Sequence, residues 1–234
     1  MHTFTASQSI GEIVTALPKA SDIFREYNID FCCGGHRNLS EAVRAQALNE
    51  QEILEKLEEA CMETRNLTEG PDFGKMPPEA LIDYIVSTHH AFLKRILPEL
   101  GELTARLLRV HGPRHRNLFE VYKLFHGLKV ELEQHLVKEE EILFPMLKQY
   151  GSTPSERILN DIGKVMAETE GEHETAGTVL KELRKVTGEY TVPEDGCETY
   201  RLTFHKLEEL EADLFQHIHL ENNILFKEVS SVAL

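Results

Sequence analysis

Apolar residues recur along most of the chain at the three- and four-residue spacing typical of amphipathic helices. Alternating β-branched runs separated by Asn-Gly or Asp-Gly turns do not appear, so the pattern predicts an all-α protein. The C-terminal two thirds predicts four long helices, over 78–110, 113–150, 155–187 and 197–229. Gly and Pro interrupt each connection, and short connections make neighbouring helices antiparallel. The predicted fold is an up-down-up-down four-helix bundle.

The N-terminal part predicts several short helices instead. Ser9 with Glu12 has the spacing of a capping box, and Asn49 marks the start of another helix. About sixty residues bury little core, so we expect this part to lean on a partner or on the rest of the chain. The stretch after it holds two Gly and three Pro. We therefore predict a small helical domain over 1–62, a linker over 63–78 and the bundle over 79–234.

Composition narrows the classes of function. The chain has 234 residues and a formal net charge of −15, which argues against a nucleic-acid partner and against docking on anionic lipid. No apolar run approaches the roughly 20 residues of a membrane span, and the start lacks the features of a secretory signal. Four Cys are too few for a disulfide scaffold, so a cytoplasmic location is expected. A homodimer through the thin N-terminal domain is left open.

A motif of the form H-x-x-x-E-x-x-I-L-F occurs twice, from His135 to Phe144 and from His217 to Phe226. Residues four apart on a helix lie on one face, about 6 Å apart. Each motif therefore presents an imidazole together with a carboxylate, Glu139 in the first and Glu221 in the second. One such pair alone is usually an exposed ion pair on a helix surface. Two in register are a stronger indication of a shared site.

The other two long helices each offer a single histidine, His90 and His173, and they are separated by nearly the same interval as the two motifs. Folding the two halves together would gather four imidazoles and two carboxylates in one layer. Such a donor set suits two transition-metal ions bridged by carboxylates, and iron is the expected metal. His89 competes with His90 for the first position. Leucines three and seven residues after His90 favour His90, and His219 is expected to face away from His217.

Two adjacent cysteines, Cys32 and Cys33, precede two glycines in a predicted loop over 30–36. Adjacent cysteines are poor partners for an ordinary disulfide. We expect both thiols to be accessible and regard them as candidate catalytic residues that engage iron, nitric oxide or a partner thiol. The alternative, in which they are small buried hydrophobes that cap the helical domain, remains open.

These motifs together resemble the repair of iron centres (RIC) family. Residues 24–35, Phe-Arg-Glu-Tyr-Asn-Ile-Asp-Phe-Cys-Cys-Gly-Gly, are similar to its double-cysteine domain, and the two H-x-x-x-E motifs are similar to its haemerythrin-like helices. The resemblance covers essentially the whole chain. It implies a haemerythrin-like bundle whose two non-haem irons are carboxylate- and oxo-bridged. The ligands it implies are His90, His135, Glu139, His173, His217 and Glu221.

The resemblance also implies a function: restoring iron–sulfur clusters of client proteins after nitrosative or oxidative damage, by donating iron or removing nitric oxide. The chain departs from oxygen-carrying haemerythrins at Gly177, where they have a further histidine. The resulting site is expected to be more open, which favours iron donation or reaction with nitric oxide over reversible oxygen carriage. Two alternatives remain: a nitric oxide reductase or peroxidase, and an oxygen-binding or sensing protein. Whether the protein is an enzyme is left open, with a non-enzymatic iron donor favoured.

Overall fold

The structure, a computed structural model, describes residues 4–64 and 71–232. All regular elements in these ranges are helical, apart from an isolated bridge between Ser9 and Asn38. The chain divides into two compact units. The central unit runs from Ile82 to Leu214, and the terminal unit combines the N-terminal residues up to Leu81 with the C-terminal residues from Phe215.

The central unit is a helical bundle, as predicted. Its core consists mainly of leucines spaced along the inner faces of the helices, including Leu93, Leu100, Leu132 and Leu180, each exposing 3% or less of its surface. The helix α7 packs against both α6 and α9. The long helical segments are α5 (Pro78–Ile85), π1 (Val86–His90) and α6 (Ala91–His111); α7 (Asn117–Lys138), π2 (Glu139–Leu143) and α8 (Phe144–Ser152); α9 (Glu156–Val186); and α10 (Glu198–Leu220).

The terminal unit contains four short N-terminal helices, α1 (Ile10–Ala16), α2 (Ala20–Glu26), α3 (Leu39–Ala45) and α4 (Glu50–Thr64), and a 3₁₀ turn at Phe73–Lys75. It also holds the C-terminal end of α10, then π3 (Glu221–Leu225) and α11 (Phe226–Val232). Buried apolar residues such as Ile13, Phe24 and Leu57 form its core, with Phe215 packed against them. The N-terminal helices therefore share a core with residues from the far end of the chain.

The hydrophobic pattern located the helices closely. The capping box at Ser9 and Glu12 is present, and the Asn49 side chain accepts hydrogen bonds from the first turn of α4. Residues 65–70 of the predicted linker lie outside the described residues. Within the described part of the chain, no helix is both long and apolar enough to cross a membrane.

Within residues 4–64 and 71–232, three short π-helical segments interrupt the long helices, and the sequence pattern did not predict them. A π turn replaces the hydrogen bond to the fourth residue with one to the fifth, and such turns frequently occur at functional sites. The segment π1 ends at His90, π2 begins at Glu139 and π3 begins at Glu221. Each therefore carries one of the predicted ligands.

Candidate metal centre

In the central unit, the carboxylate of Glu139 lies among imidazoles. Its Oε2 is 3.3 Å from Nε2 of His90 and 3.2 Å from Nε2 of His135. The Nε2 atom of His173 lies 3.3 Å from that of His135. All four side chains are buried, and Glu139 exposes none of its surface. Glu139 therefore has two sets of buried imidazole neighbours: His135 and His173, whose ligating atoms lie within 4.8 Å of one another and of the Glu139 carboxylate, and His90.

The spacing and chemistry of these atoms fit a transition-metal ion. Nitrogen and oxygen ligands lie about 2.1 Å from such an ion, so neighbouring ligands are roughly 3.0–3.4 Å apart. The contacts of Glu139 and His173 fall in this range. Imidazole together with carboxylate suits iron, zinc, copper or manganese. The donor set in the central unit can hold a metal ion.

A second layer of carboxylates orients two of the imidazoles. Nδ1 of His90 lies 2.8 Å from Glu140, and Nδ1 of His135 lies 2.8 Å from Glu172. Because an ionised carboxylate can only accept, each Nδ1 donates its proton outward. In a neutral imidazole the Nε2 atom then carries the lone pair, and it points to Glu139. This is the tautomer that a histidine needs to bind a metal ion through Nε2.

Each outer carboxylate is in turn held by a lysine. Lys94 Nζ lies 2.7 Å from Glu140 Oε1, and Lys138 Nζ lies 2.6 Å from Glu172 Oε1. Burial by itself raises the pKa of both carboxyls, but hydrogen bonds from the lysines and histidines outweigh it and the net pKa is lowered. Glu140 and Glu172 are therefore ionised at neutral pH and accept hydrogen bonds from the Nδ1–H groups of His90 and His135.

The second H-x-x-x-E pair belongs to the terminal unit. His217 and Glu221 are fully buried, and Nε2 of His217 lies 3.0 Å from Oε1 of Glu221. The pair contrasts with a third H-x-x-x-E spacing on the same helix, His205 with Glu209, whose side chains are 67% and 44% exposed. The same four-residue spacing thus gives a surface ion pair at one place and a buried donor pair at another.

His89 and His90, the two candidates for the metal ligand from the first long helix, are both buried, but they have different neighbours. His89 Nδ1 lies 3.0 Å from Asp213 Oδ1, and its ring packs edge-on against Tyr84. His90 points to Glu139 and stacks on Phe144. His90 is therefore the one of the two that joins the donor cluster in the central unit.

The cysteine loop lies in the terminal unit and differs from expectation at one thiol. Cys32 is 3% exposed, so the expectation that both thiols are accessible is wrong for Cys32; Cys33 is half-buried. The preceding Phe31 packs edge-on against Phe215 and draws the chain into the core. The contact with Cys33, burial and the charge of Asp30 raise the pKa of Cys32 well above its usual value. Cys32 therefore stays protonated at neutral pH, and Cys33 is the thiol open to reagents.

The ligating atoms of Asp30, Cys32 and Cys33 lie within 4.8 Å of one another. Asp30 Oδ1 accepts the backbone N–H of Gly34 at 3.0 Å and lies 3.3 Å from the sulfur of Cys32. The two sulfurs are 3.7 Å apart. The loop is thus fixed by its own aspartate, and Cys33 is the more exposed of its two cysteines.

Comparison with known proteins matches both parts of the chain. Residues 6–61 match a family described as a domain of unknown function (DUF542, ScdA_N), and residues 81–229 match the Hemerythrin HHE cation binding domain. The iron-sulfur cluster repair protein ScdA of Staphylococcus epidermidis is 34% identical over 97% of this chain and 99% of its own. The chain belongs to the ScdA/YtfE family.

Two relatives that carry the name YtfE are similar over nearly their whole length as well. The iron-sulfur cluster repair protein YtfE of Pectobacterium atrosepticum is 36% identical over 94% of this chain and 95% of its own. That of Escherichia coli is 36% identical over 94% of each chain. Membership of the ScdA/YtfE family confirms the resemblance inferred from the double-cysteine and H-x-x-x-E motifs.

Several residues of this ScdA/YtfE-family site were not predicted. Glu140 and Glu172 are sequence neighbours of Glu139 and His173, but no spacing rule separates them from other surface glutamates. His219 was expected only to face away from His217; it is buried, and burial lowers its pKa to about 4. Its neighbours include Phe31, which is 188 residues away in sequence.

Proposed function

We propose that this protein binds two non-haem iron ions and repairs iron–sulfur clusters damaged by nitrosative or oxidative stress. The observation that carries the proposal is the buried cluster around Glu139, in which imidazole lone pairs and a carboxylate converge. The names of the relatives, iron-sulfur cluster repair proteins along nearly their whole length, support the repair function.

The proposed ligands are the six residues of the sequence repeat: His90, His135, Glu139, His173, His217 and Glu221. Glu139 and Glu221 would bridge the two irons, with an oxo bridge beside them. The family match supports grouping them, since it covers all six within one domain, residues 81–229. Bound iron would supply an exchangeable ion for cluster rebuilding and a centre to which nitric oxide or oxygen species bind. His90 and His135 hold their Nε2 lone pairs inward because Nδ1 of each donates a hydrogen bond outward, to Glu140 and Glu172 respectively.

The proposed division of labour follows the domains expected from sequence. The domain over 1–62 would present Cys33, supported by Cys32, to damaged clients, to iron or to nitric oxide, and the bundle over 79–234 would hold the iron. The linker would span 63–78. We further propose a cytoplasmic protein that acts as an iron donor rather than an enzyme, with a homodimer as an additional arrangement to be tested.

Replacing Glu139 and Glu221 together with Leu tests the iron site. The variant is expected to lose both irons, because the two carboxylates that offset the metal charge are gone. The matched control is Glu209→Leu, which removes the carboxylate of the exposed H-x-x-x-E pair on the same helix. Metal content and the visible spectrum of anaerobically loaded protein give the readout. Two irons per chain in the double variant, or stoichiometric zinc in the unsubstituted protein, would overturn the assignment.

The cysteine role has a separate test. Cys33→Ser is expected to leave the iron content unchanged and to impair reactivation of a nitric-oxide-damaged iron–sulfur enzyme. Cys61→Ser is the control, because Cys61 only packs against the core of the terminal unit. Unimpaired reactivation by Cys33→Ser would remove the thiol from the proposal.

A buried glycine, Gly177, stands four residues after His173, so this position supplies no further imidazole, which favours iron donation or reaction with nitric oxide over oxygen carriage. Catalytic turnover of nitric oxide to nitrous oxide with a reductant would establish the reductase alternative. A stable, reversible oxygen adduct would establish the oxygen-binding alternative. Stoichiometric iron transfer without either activity is the outcome expected for an iron donor.

A further inference from the structure

One side chain in the terminal unit, Asn223, joins the cysteine loop to the turn that carries Glu221. Asn223 lies in π3, two residues after Glu221. Its Nδ2 donates to the backbone oxygen of Cys32 at 2.8 Å and to that of Phe31 at 3.3 Å. An amide NH₂ group has two hydrogens, one for each acceptor. The side chain therefore holds two consecutive carbonyls of the cysteine loop.

The space around this amide is too small for ordinary side chains. A Cβ atom at Gly11 would lie 2.7 Å from Asn223 Oδ1, and one at Gly35 would overlap the same oxygen. The two glycines are themselves joined, since the N–H of Gly11 donates to the carbonyl of Gly35 at 2.8 Å. Helix α1 and the cysteine loop thus close on Asn223 from two sides because both present a glycine there.

The side chain of His219 also contacts Asn223 and the cysteine loop. Nδ1 of His219 lies 3.3 Å from Asn223 Nδ2 and 3.4 Å from the carbonyl of Phe31. Its Nε2 lies 3.4 Å from the hydroxyl of Thr15 in α1. The cysteine loop, α1 and the turn after His217 form one connected group around Asn223.

We propose that Asn223 is a positioning residue that couples metal binding at Glu221 to the reactivity of Cys33. The inference rests on the proposed function, in which Glu221 is a ligand and the cysteine loop is the second site. Glu221 and Asn223 share a five-residue turn, so fixing the carboxylate also fixes the amide that holds the loop. Because coupling between two binding events is reciprocal, modifying the loop also weakens metal binding.

Alkylation of the full-length protein by N-ethylmaleimide, followed by mass spectrometry of the peptide that contains Cys32 and Cys33, measures the coupling. Loading with ferrous iron under anaerobic conditions is expected to slow alkylation at least about fivefold, the lower end of typical coupling. In Asn223→Ala the peptide is expected to react about tenfold faster, since two hydrogen bonds are lost. Iron then no longer changes the rate. The peptides of Cys61 and Cys197 are internal references.

Lys227→Ala is the matched control. Lys227 pairs with Glu12 of α1, 3.3 Å away, and both side chains are exposed. The variant thus removes a second link between α1 and the C-terminal helix without touching the loop. It is expected to keep the wild-type rate and its response to iron. A Lys227→Ala effect as large as that of Asn223→Ala would overturn the specific role of the amide.

A second variant keeps the inference testable if Asn223→Ala does not fold. Gly11→Ala displaces the Asn223 amide and is expected to speed alkylation of the loop in the wild-type background. In Gly11→Ala iron is also expected to change the alkylation rate less than in the wild type, because the displaced amide no longer holds the loop. A wild-type alkylation rate together with the wild-type response to iron in Gly11→Ala would overturn the inference.

The failure of the proposed function is distinguishable from failure of the coupling. Two irons retained after loss of Glu139 and Glu221 would refute the ligand assignment, whereas the faster alkylation of metal-free Asn223→Ala would stand. Wild-type alkylation and an unchanged iron response in Asn223→Ala would refute the coupling and leave the iron site intact.

Discussion

Replacing Glu140 with Ala removes the group that accepts the outer proton of His90. Outer carboxylates of metal-binding histidines typically contribute 10- to 100-fold to metal affinity, or about 1.4–2.8 kcal/mol. Glu140 is 24% exposed, so water does not readily take its place, and its loss is expected to fall in the upper half of this range. Glu140→Gln keeps one acceptor oxygen, loses the charge and replaces the other oxygen with an NH₂ donor, so we expect roughly tenfold weaker binding.

Two neighbouring carboxylates calibrate the effect. Glu172 plays the same part for His135 but is 42% exposed, so Glu172→Ala is expected to weaken binding less. Glu141 is exposed and directly follows Glu140, and Glu141→Ala makes the same change of charge without touching an imidazole in the described contacts. The expected order of loss is Glu140 first, Glu172 second and Glu141 last.

The assay is anaerobic competition for ferrous iron against a chromophoric chelator of known affinity at fixed pH and ionic strength. Equal affinities for Glu140→Ala and Glu141→Ala would show that general negative charge, rather than orientation of His90, determines the binding. That result would refute the argument from the tautomer. A loss confined to Glu172→Ala would instead assign the orienting role to the His135 side alone.

Two further predictions concern the stability of the central unit. The guanidinium of Arg184 donates to the buried carboxylate of Glu211, so Arg184→Met is expected to lower the free energy of unfolding by about 3–5 kcal/mol. Arg201→Met, which breaks an exposed ion pair, is expected to lower it by less than about 1 kcal/mol. Equal urea midpoints for the two variants would contradict this prediction. Burial and the charge of Lys129 lower the pKa of His126 in the folded protein. As the pH falls below about 6.5, the unfolded chain therefore binds more protons than the folded chain, and the free energy of unfolding decreases. His126→Gln is expected to flatten that loss in urea unfolding between about pH 7 and 5, and an unchanged slope would contradict it.

The helical architecture was predictable because its signals are local. Apolar periodicity, a Ser9–Glu12 capping box and Gly/Pro breaks each act within a few residues, and each corresponds to an observed element. The doubled H-x-x-x-E motif was also readable, since helical spacing fixes which residues share a face. The sequence of a single H-x-x-x-E pair does not show whether the pair is buried, because His205 and Glu209 have the same spacing and are exposed.

Contacts between segments that are far apart in the chain could not be predicted from the sequence. Asn223 meets Cys32 across 191 residues, and Lys138 meets Glu172 across 34. Nothing in local pattern distinguishes either from a solvated polar residue. The burial of Cys32 likewise depends on Phe31 finding Phe215, so the loop's glycines suggested an accessibility that the distant aromatic ring removes for one thiol.

The π turns also set the rotational phase of the helices that follow them. Each accommodates one residue more than an α-helical turn, which amounts to about 100° of rotation about the axis. Beyond π2, Phe144 and Leu147 are buried while Pro145 is exposed. Winding the same residues as an α-helix, with none deleted, would rotate these apolar side chains by about that angle and turn them toward solvent, whereas deleting one residue from π2 would restore α-helical winding and keep them buried. The five-residue π turns at Glu139 and Glu221 therefore set the rotation of the helix that follows each of them. They let one continuous helix place a proposed ligand in the turn and bury apolar side chains in the segment after it.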